Sequence, residues 1–338
     1  MNVVLASLRE AFHTLASLPL MLAHAYVIGG IFFGAAAVLS IEDKSNPRRL
    51  LNFLFWSLLA VSFLAGSYLG DLANGGLALA LAAVGAIGLG QGKPKTTTPE
   101  ERRASAIKRG NLLFLPALII PAVALGGTVI AKQTSWGAHL IDPAQATLIS
   151  LVIGTLIAVA VAMLWLRPPM LAPLQEGRRL LDSVGWAAIL PQMLASLGAV
   201  FLAAGVGAQV GHLFTTYIPL DTRTFAVIAY CTGMALFTLI MGNAFAAFPV
   251  MTAAVGLPII VQHFGGDPAP VCAIGMLAGF CGTLMTPMAA NFNVVPANLL
   301  ELPDRKAAFN GVIRAQIPTA LPLLIANVVL MRLLAFPS

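Results

Sequence analysis

Residues 242–298 read GNAFAAFPVMTAAVGLPIIVQHFGGDPAPVCAIGMLAGFCGTLMTPMAANFNVVPAN. This is membrane-apolar sequence broken again and again by Gly, Pro, Asn and Thr. A helix crossing lipid satisfies its backbone groups internally, so breakers at that depth are tolerated only where protein or a water-filled cavity receives the freed N–H and C=O groups. Interrupted backbone with small uncharged polar side chains is how secondary transporters build a substrate site near the bilayer midplane. The stretch therefore points to a membrane-embedded transport path, and the rest of the chain can be weighed against it.

Of the 338 residues, 59% are hydrophobic and only 9% charged, and mean hydropathy is +0.89. A soluble domain carries about 25% charged residues. The apolar residues come in runs: Leu22–Leu39, Leu51–Leu69, Asn74–Gly90, Leu112–Ala131, Ala146–Leu166 and Gly185–Ala208, then Phe225–Met241 and the interrupted stretch. Each is about long enough to cross ~30 Å of hydrocarbon at 1.5 Å per residue. The fold expected is all-α: a polytopic membrane protein with about ten hydrophobic passages, including re-entrant or broken helices in the C-terminal half.

A net charge of +6 could imply a nucleic-acid partner, but its distribution excludes that reading. With the N-terminus outside and a crossing at each apolar run, fifteen basic residues share one side. They are Lys44, Arg48 and Arg49, six within Lys93–Arg109, then Arg167, Arg178, Arg179, Arg305, Lys306 and Arg314. Only Arg9, Lys132, Arg223 and Arg332 fall opposite. This is the positive-inside bias. It predicts a multi-pass protein of a bacterial inner (cytoplasmic) membrane with its N-terminus outside.

The N-terminus does not read as a cleaved signal, since Glu10 and His13 interrupt the expected apolar core; residues 3–18 read as an amphipathic helix or the first turns of a long one. Residues 91–110, QGKPKTTTPEERRASAIKRG, read as a mobile basic cytoplasmic loop. That loop divides the chain into an N-terminal three-passage block (1–90) and a C-terminal transport block with broken helices (111–338). A second cytoplasmic loop, Arg167–Ser183, carries EGRRLLD with its charges expected in solvent. Gly88-x-Gly90-x-Gly92-Lys93 lacks the spacing and the hydroxyl of a phosphate-binding loop. Cys231, Cys272 and Cys281 sit in apolar segments without C-x-x-C spacing and read as packing residues.

Candidate chemistry concentrates late. Pro249 and Pro258 interrupt Asn243–Val261, and Thr286-Pro287 biases the chain out of helix. Pro296 follows in the same stretch. Asn243, Thr252, Thr283, Thr286, Asn291 and Asn293 share these two neighbouring segments and are the candidate substrate-binding residues. A single Asn or Thr in a membrane helix ordinarily glues it to a neighbour; it is the clustering beside breakers that points to a path. Side-chain amides can donate to a carboxylate or accept from an ammonium or hydrated ion. No carboxylate lies clearly deep in a span: Asp71, Asp221 and Asp267 fall at ends and turns, with His212 and His263 near interfaces. No metal site and no catalytic group is expected, HExxH and G-x-S-x-G both being missing.

Two stretches, GNAFAAFPVMTAAVG at Gly242–Gly256 and GTLMTPMAANFNVVPANLLEL at Gly282–Leu302, resemble the signature segments of a known family. EGRRLLDSVGWAAILPQMLASLGAVF at Glu176–Phe201 resembles it as well. The family is the larger subunit of a two-component 5-oxoproline (pyroglutamate) transporter, long catalogued as a domain of unknown function and similar to the ion-transporter superfamily. The resemblance implies a cation-coupled secondary transporter, with Na⁺ or H⁺ as coupling ion and no other cofactor. It also implies an elevator-type mechanism, a small carboxylate as substrate, a second smaller membrane subunit and an oligomer. On that mapping Asn243, Pro249 and Thr252 lie on a hairpin-like segment, and Thr286, Pro287, Asn291 and Asn293 on a broken one. The competing reading is a non-transporting scaffold or channel-like subunit of a membrane complex.

Overall fold

The computed structural model describes residues 20–92, 97–218, 220–300 and 305–336; the expected helix at residues 3–18 lies outside them. Among the described residues the ordered elements are helices, with one isolated bridge between Leu20 and Ile141. We number them α1 (Leu22–Glu42), α2 (Arg49–Ala65), α3 (Asp71–Ile87), α4 (Pro99–Arg109), α5 (Leu115–Gln133), α6 (Ser135–Leu140), α7 (Ala146–Leu166) and α8 (Ala172–Val184). There follow α9 (Leu190–Ala203), α10 (Val206–Tyr217), α11 (Arg223–Met241), α12 (Ala244–Met251), α13 (Pro268–Met285), α14 (Val295–Leu299) and α15 (Arg305–Leu334). Among the described residues, eight helical runs are long and apolar enough to cross a membrane, and α2 and α3 are shorter apolar helices. The chain is thus a polytopic, all-helical membrane protein.

Contacts divide it into two compact units, Met1–Gly185 and Trp186–Ser338. In the first, α1 and α2 close on an aromatic seam. Phe33 stacks on the buried Trp56 with ring centroids 5.9 Å apart, and Phe63 meets both Tyr26 and Phe33 edge-on. Part of the segment read as a loop is helical. Thr98 accepts from the Glu101 N–H while Glu101 accepts from the Thr98 N–H, so the reciprocal cap written in Thr98-Pro99-Glu100-Glu101 starts α4.

The charges of the EGRRLLD segment are not in solvent. Arg178 and Asp182 are only 5% and 6% exposed. Arg178 pairs with Asp43, just past the end of α1, and lies 3.6 Å from Asp182. The Asn52 amide donates to Asp182 (2.9 Å) and to the Gly90 carbonyl (2.8 Å), and its oxygen accepts from the Gly90 N–H (2.8 Å). The glycines at 90 and 92 serve close approach: a Cβ at Gly90 would overlap the Asn46 side chain, and one at Gly92 would overlap Asp43 and Arg178. Sequence reasoning missed this tie because an i,i+4 Arg–Asp pair looks the same on a solvated helix face. Burial pushes the Asp43 carboxyl up, but hydrogen bonds from Ser45 and Arg178 outweigh it and hold it below its ordinary 3.8.

In the second unit the buried core joins α11, α12, α13 and α15 around Tyr230, Met234, Met251 and Met331. α12 does not turn back after its prolines. It continues from Thr252 to His263 as a π-wound helix, so Ala244–His263 forms one 20-residue passage whose winding changes midway. Pro249 lies in the α-wound part and Pro258 in the π-wound part; proline lacks the N–H and crowds the preceding turn, and wider winding accommodates it. Gly256 and Gly275 form a slot for the buried Tyr230 ring. Gly207 and Gly211 bring α10 against the backbone of Val250 and Ala254.

Two outcomes follow for stability, both read as thermal unfolding of the full chain in detergent. Gly275→Ala, whose Cβ would overlap the Tyr230 hydroxyl, should cost about 1–3 kcal/mol from overpacking. Gly76→Ala, which meets open space on α3, should be neutral or stabilising. Asp43, with its depressed carboxyl, contributes stability that is fully present above 3.8 and is lost as pH falls through its lowered value. Arg178→Met should cost about 3–5 kcal/mol at neutral pH, because it strands a buried carboxylate, and should flatten that acid limb of the stability profile.

Candidate functional site

The break after α13 is where the chain's polar chemistry converges. Thr286, forced away from helical ψ by Pro287, is extended at φ −100° and ψ 137°, so the last carbonyls of α13 lose their helical donors. Asn293 replaces them. Its Nδ2 donates to the carbonyl oxygens of Thr283 (3.1 Å) and Thr286 (2.6 Å) across the break. The chain resumes as a π-wound turn at Ala290–Val294 and then as α14, with Pro296 in its first turn. Asn291 lies in that π-wound turn. The Thr286 hydroxyl donates to the Leu239 carbonyl near the end of α11 (2.8 Å) and accepts from the Met288 N–H (3.3 Å). The Thr283 hydroxyl donates to Phe280 O (2.6 Å).

The other interrupted segment begins against this break. Gly242 ends α11 in the left-handed region at φ +79°, and a Cβ there would stand 2.6 Å from Met288 Cβ; only glycine permits both the conformation and the approach. Asn243 then caps α12, its Oδ1 accepting from the Phe245 N–H at 2.7 Å. Its amide nitrogen has no partner among the described residues. Thr252 lies nine residues further along, more than two turns away, with its hydroxyl 3.0 Å from that of Tyr230 on α11. The structure therefore gathers Asn243, Thr283, Thr286 and Asn293 and sets Thr252 apart.

Two further residues belong here that sequence reading passed over. Gln316 on α15 donates through Nε2 to the Phe292 carbonyl at 3.0 Å. Thr238 on α11 abuts Gly279 and Gly282 of α13. Both have a breaker nearby, Thr238 one turn before Gly242 and Gln316 two residues before Pro318, but each sits within a continuous helix outside the two interrupted segments, where a polar residue in an apolar passage was the signal available. Asn293 Oδ1, Gln316 Oε1 and Thr238 Oγ1 are buried with no partner among the described residues. The two backbone acceptors of Asn293 fix which end of its amide is nitrogen. Both side-chain amides thus spend donors on the backbone and keep an oxygen unmatched. The site is uncharged, and no group of three His, Cys, Asp or Glu able to hold a metal occurs among the described residues.

Fold and site together define a multi-pass helical membrane protein with a buried, polar chain break in its second unit. A family model described as a protein of unknown function, DUF979, matches residues 23–336, and the chain belongs to that family. No curated protein and no solved structure matches it.

Asn293→Ala should leave two buried carbonyls without donors and cost about 2–4 kcal/mol, seen as a lower apparent Tm and reduced membrane abundance. Asn243→Ala removes a partly solvent-reached cap and should cost about 1 kcal/mol, with abundance close to wild type.

Proposed function

We propose that this chain is a membrane subunit of a secondary transporter for a small carboxylate. The break at Thr286-Pro287 carries the reading: polar backbone is interrupted deep in an apolar bundle, abuts a second helix start at Gly242-Asn243, and keeps unmatched polar atoms in Asn293, Gln316 and Thr238. An interruption with no solute path would be a cost without return in lipid. The resemblance of Gly242–Gly256 and Gly282–Leu302 favours 5-oxoproline as substrate, with Na⁺ or H⁺ coupling, an elevator-type movement, a smaller membrane subunit as partner and an oligomeric assembly. The fifteen basic residues of one side support an inner-membrane protein with its N-terminus outside. Of the candidate donors for a carboxylate, Asn243 is favoured, because the hydrogens of Asn293, Thr283 and Thr286 are already engaged. That same engagement favours the second reading, a non-transporting scaffold or channel-like subunit whose polar residues only bind the bundle together.

Uptake of labelled 5-oxoproline into cells expressing this chain, with and without the smaller membrane subunit, separates the two. Transport predicts uptake that needs both subunits and falls about tenfold in Asn243→Ala, the loss of one hydrogen bond to a charged group, at unchanged membrane abundance. A two-subunit strain that takes up none of 5-oxoproline, proline, glutamate or C4-dicarboxylates would leave the scaffold reading standing.

A further inference from the structure

The π-wound helix ends at a cavity that the chain break does not involve. It is an open groove of about 560 Å³, lined by Thr215, Thr216 and Tyr217 at the end of α10, by Asp221 ahead of α11, and by Ile259 and His263. Its lining side chains offer the Thr215, Thr216 and Asp221 oxygens as acceptors, beside a Tyr217 hydroxyl and a His263 ring that can also donate. The Thr215 hydroxyl donates to the Gly211 and His212 carbonyls (3.0 and 3.1 Å), and the Thr216 hydroxyl to His212 O (2.7 Å). With their hydrogens spent within the helix, both oxygens can only accept from a guest. Asp221 adds a carboxylate that makes no hydrogen bond or ion pair among the described residues. The nearest guanidinium in sequence, that of Arg223, is turned elsewhere: it lies over the Phe336 ring at 5.1 Å, a ring that Arg332 also faces at 5.5 Å while its Nε donates to Thr224.

A concave site with a formal negative charge, three hydroxyls and no Lys or Arg among its described lining residues is complementary to a positive guest with donors or a bare charge to offer. We propose that this cavity binds a monovalent cation, with Asp221 supplying the charge and the Thr215 and Thr216 oxygens the coordination. Two sources share that chemistry, an alkali-metal ion and a small organic ammonium. The proposal stands whether or not the chain carries a solute, since it concerns binding at a place remote in sequence from Asn243 and Asn293.

The test is a titration of the full chain in lipid nanodiscs, following thermal stability against NaCl, KCl and methylammonium chloride. Tetrapropylammonium chloride at matched ionic strength serves as a charge without N–H donors and too bulky for close coordination. Saturable stabilisation by at least one small cation and not by tetrapropylammonium is the expected result. Saturation by sodium or potassium alone identifies an alkali-metal site, and saturation by methylammonium alone an ammonium site. Asp221→Asn should weaken the effect roughly fivefold to tenfold, as expected for a charge-assisted contact at a partly exposed site. Thr216→Val, which keeps the side-chain shape and removes one oxygen, should weaken it less. Equal stabilisation by tetrapropylammonium, no saturable effect, or wild-type response in both variants would overturn the assignment.

Discussion

Backbone polar groups that lose their helical partners in an apolar bundle must find others nearby, and the second unit is organised by that requirement. Proline at 287 opens α13, and the carboxamide of Asn293 spans the opening by donating to Thr283 and Thr286 together. One side chain thus closes a gap of several residues. Thr286 repeats the device between helices by donating to Leu239, and Gln316 does so from α15 by donating to Phe292. The break is held open and ordered at the same time, because the two carboxamides, Asn293 and Gln316, spend donors on carbonyls and each keep a buried oxygen with no partner among the described residues. Polar atoms in that condition are costly, and a site that keeps several is the natural place to look for a guest.

The first unit meets a similar requirement with charge. Arg178 lies between Asp43 and Asp182, and Asn52 joins that pair to the Gly90 backbone. Removing water from two carboxylates and a guanidinium is expensive, and it is offset only when geometry and extra hydrogen bonds are good. The close glycines at 90 and 92 allow the backbone itself to serve as partner. What reads along the sequence as a basic cytoplasmic segment is therefore anchored at its root by a buried ionic tie.

Proline chemistry has two outcomes in this chain, and the difference lies in the surroundings. At Pro287 the helix stops. At Pro249 and Pro258 it continues, shifting to π winding from Thr252 onward with Tyr230 held against Gly256 and Gly275. Dense packing by α10, α11 and α13 confines the second segment, and a wider turn lets it absorb the missing N–H without reversing. The sequence marks both as interrupted because proline and glycine act locally; which kind of interruption results depends on neighbours remote in sequence.

Residue order alone determined that the chain is a multi-pass helical membrane protein, since apolar runs of spanning length and scarce charge admit little else. It also located the interruptions, and it singled out Asn243, Thr252, Thr283, Thr286, Asn291 and Asn293 as candidates, because breakers and polar residues adjacent in sequence announce themselves. Tertiary structure decided which of those side chains meet. It placed Thr252 with Tyr230 and away from the break, recruited Thr238 and Gln316 from helices outside the two interrupted segments, and buried Arg178 and Asp182. The physical reason is that helical periodicity tells which residues share a face but not what that face will meet, and hydrogen bonding and desolvation are settled by what it meets.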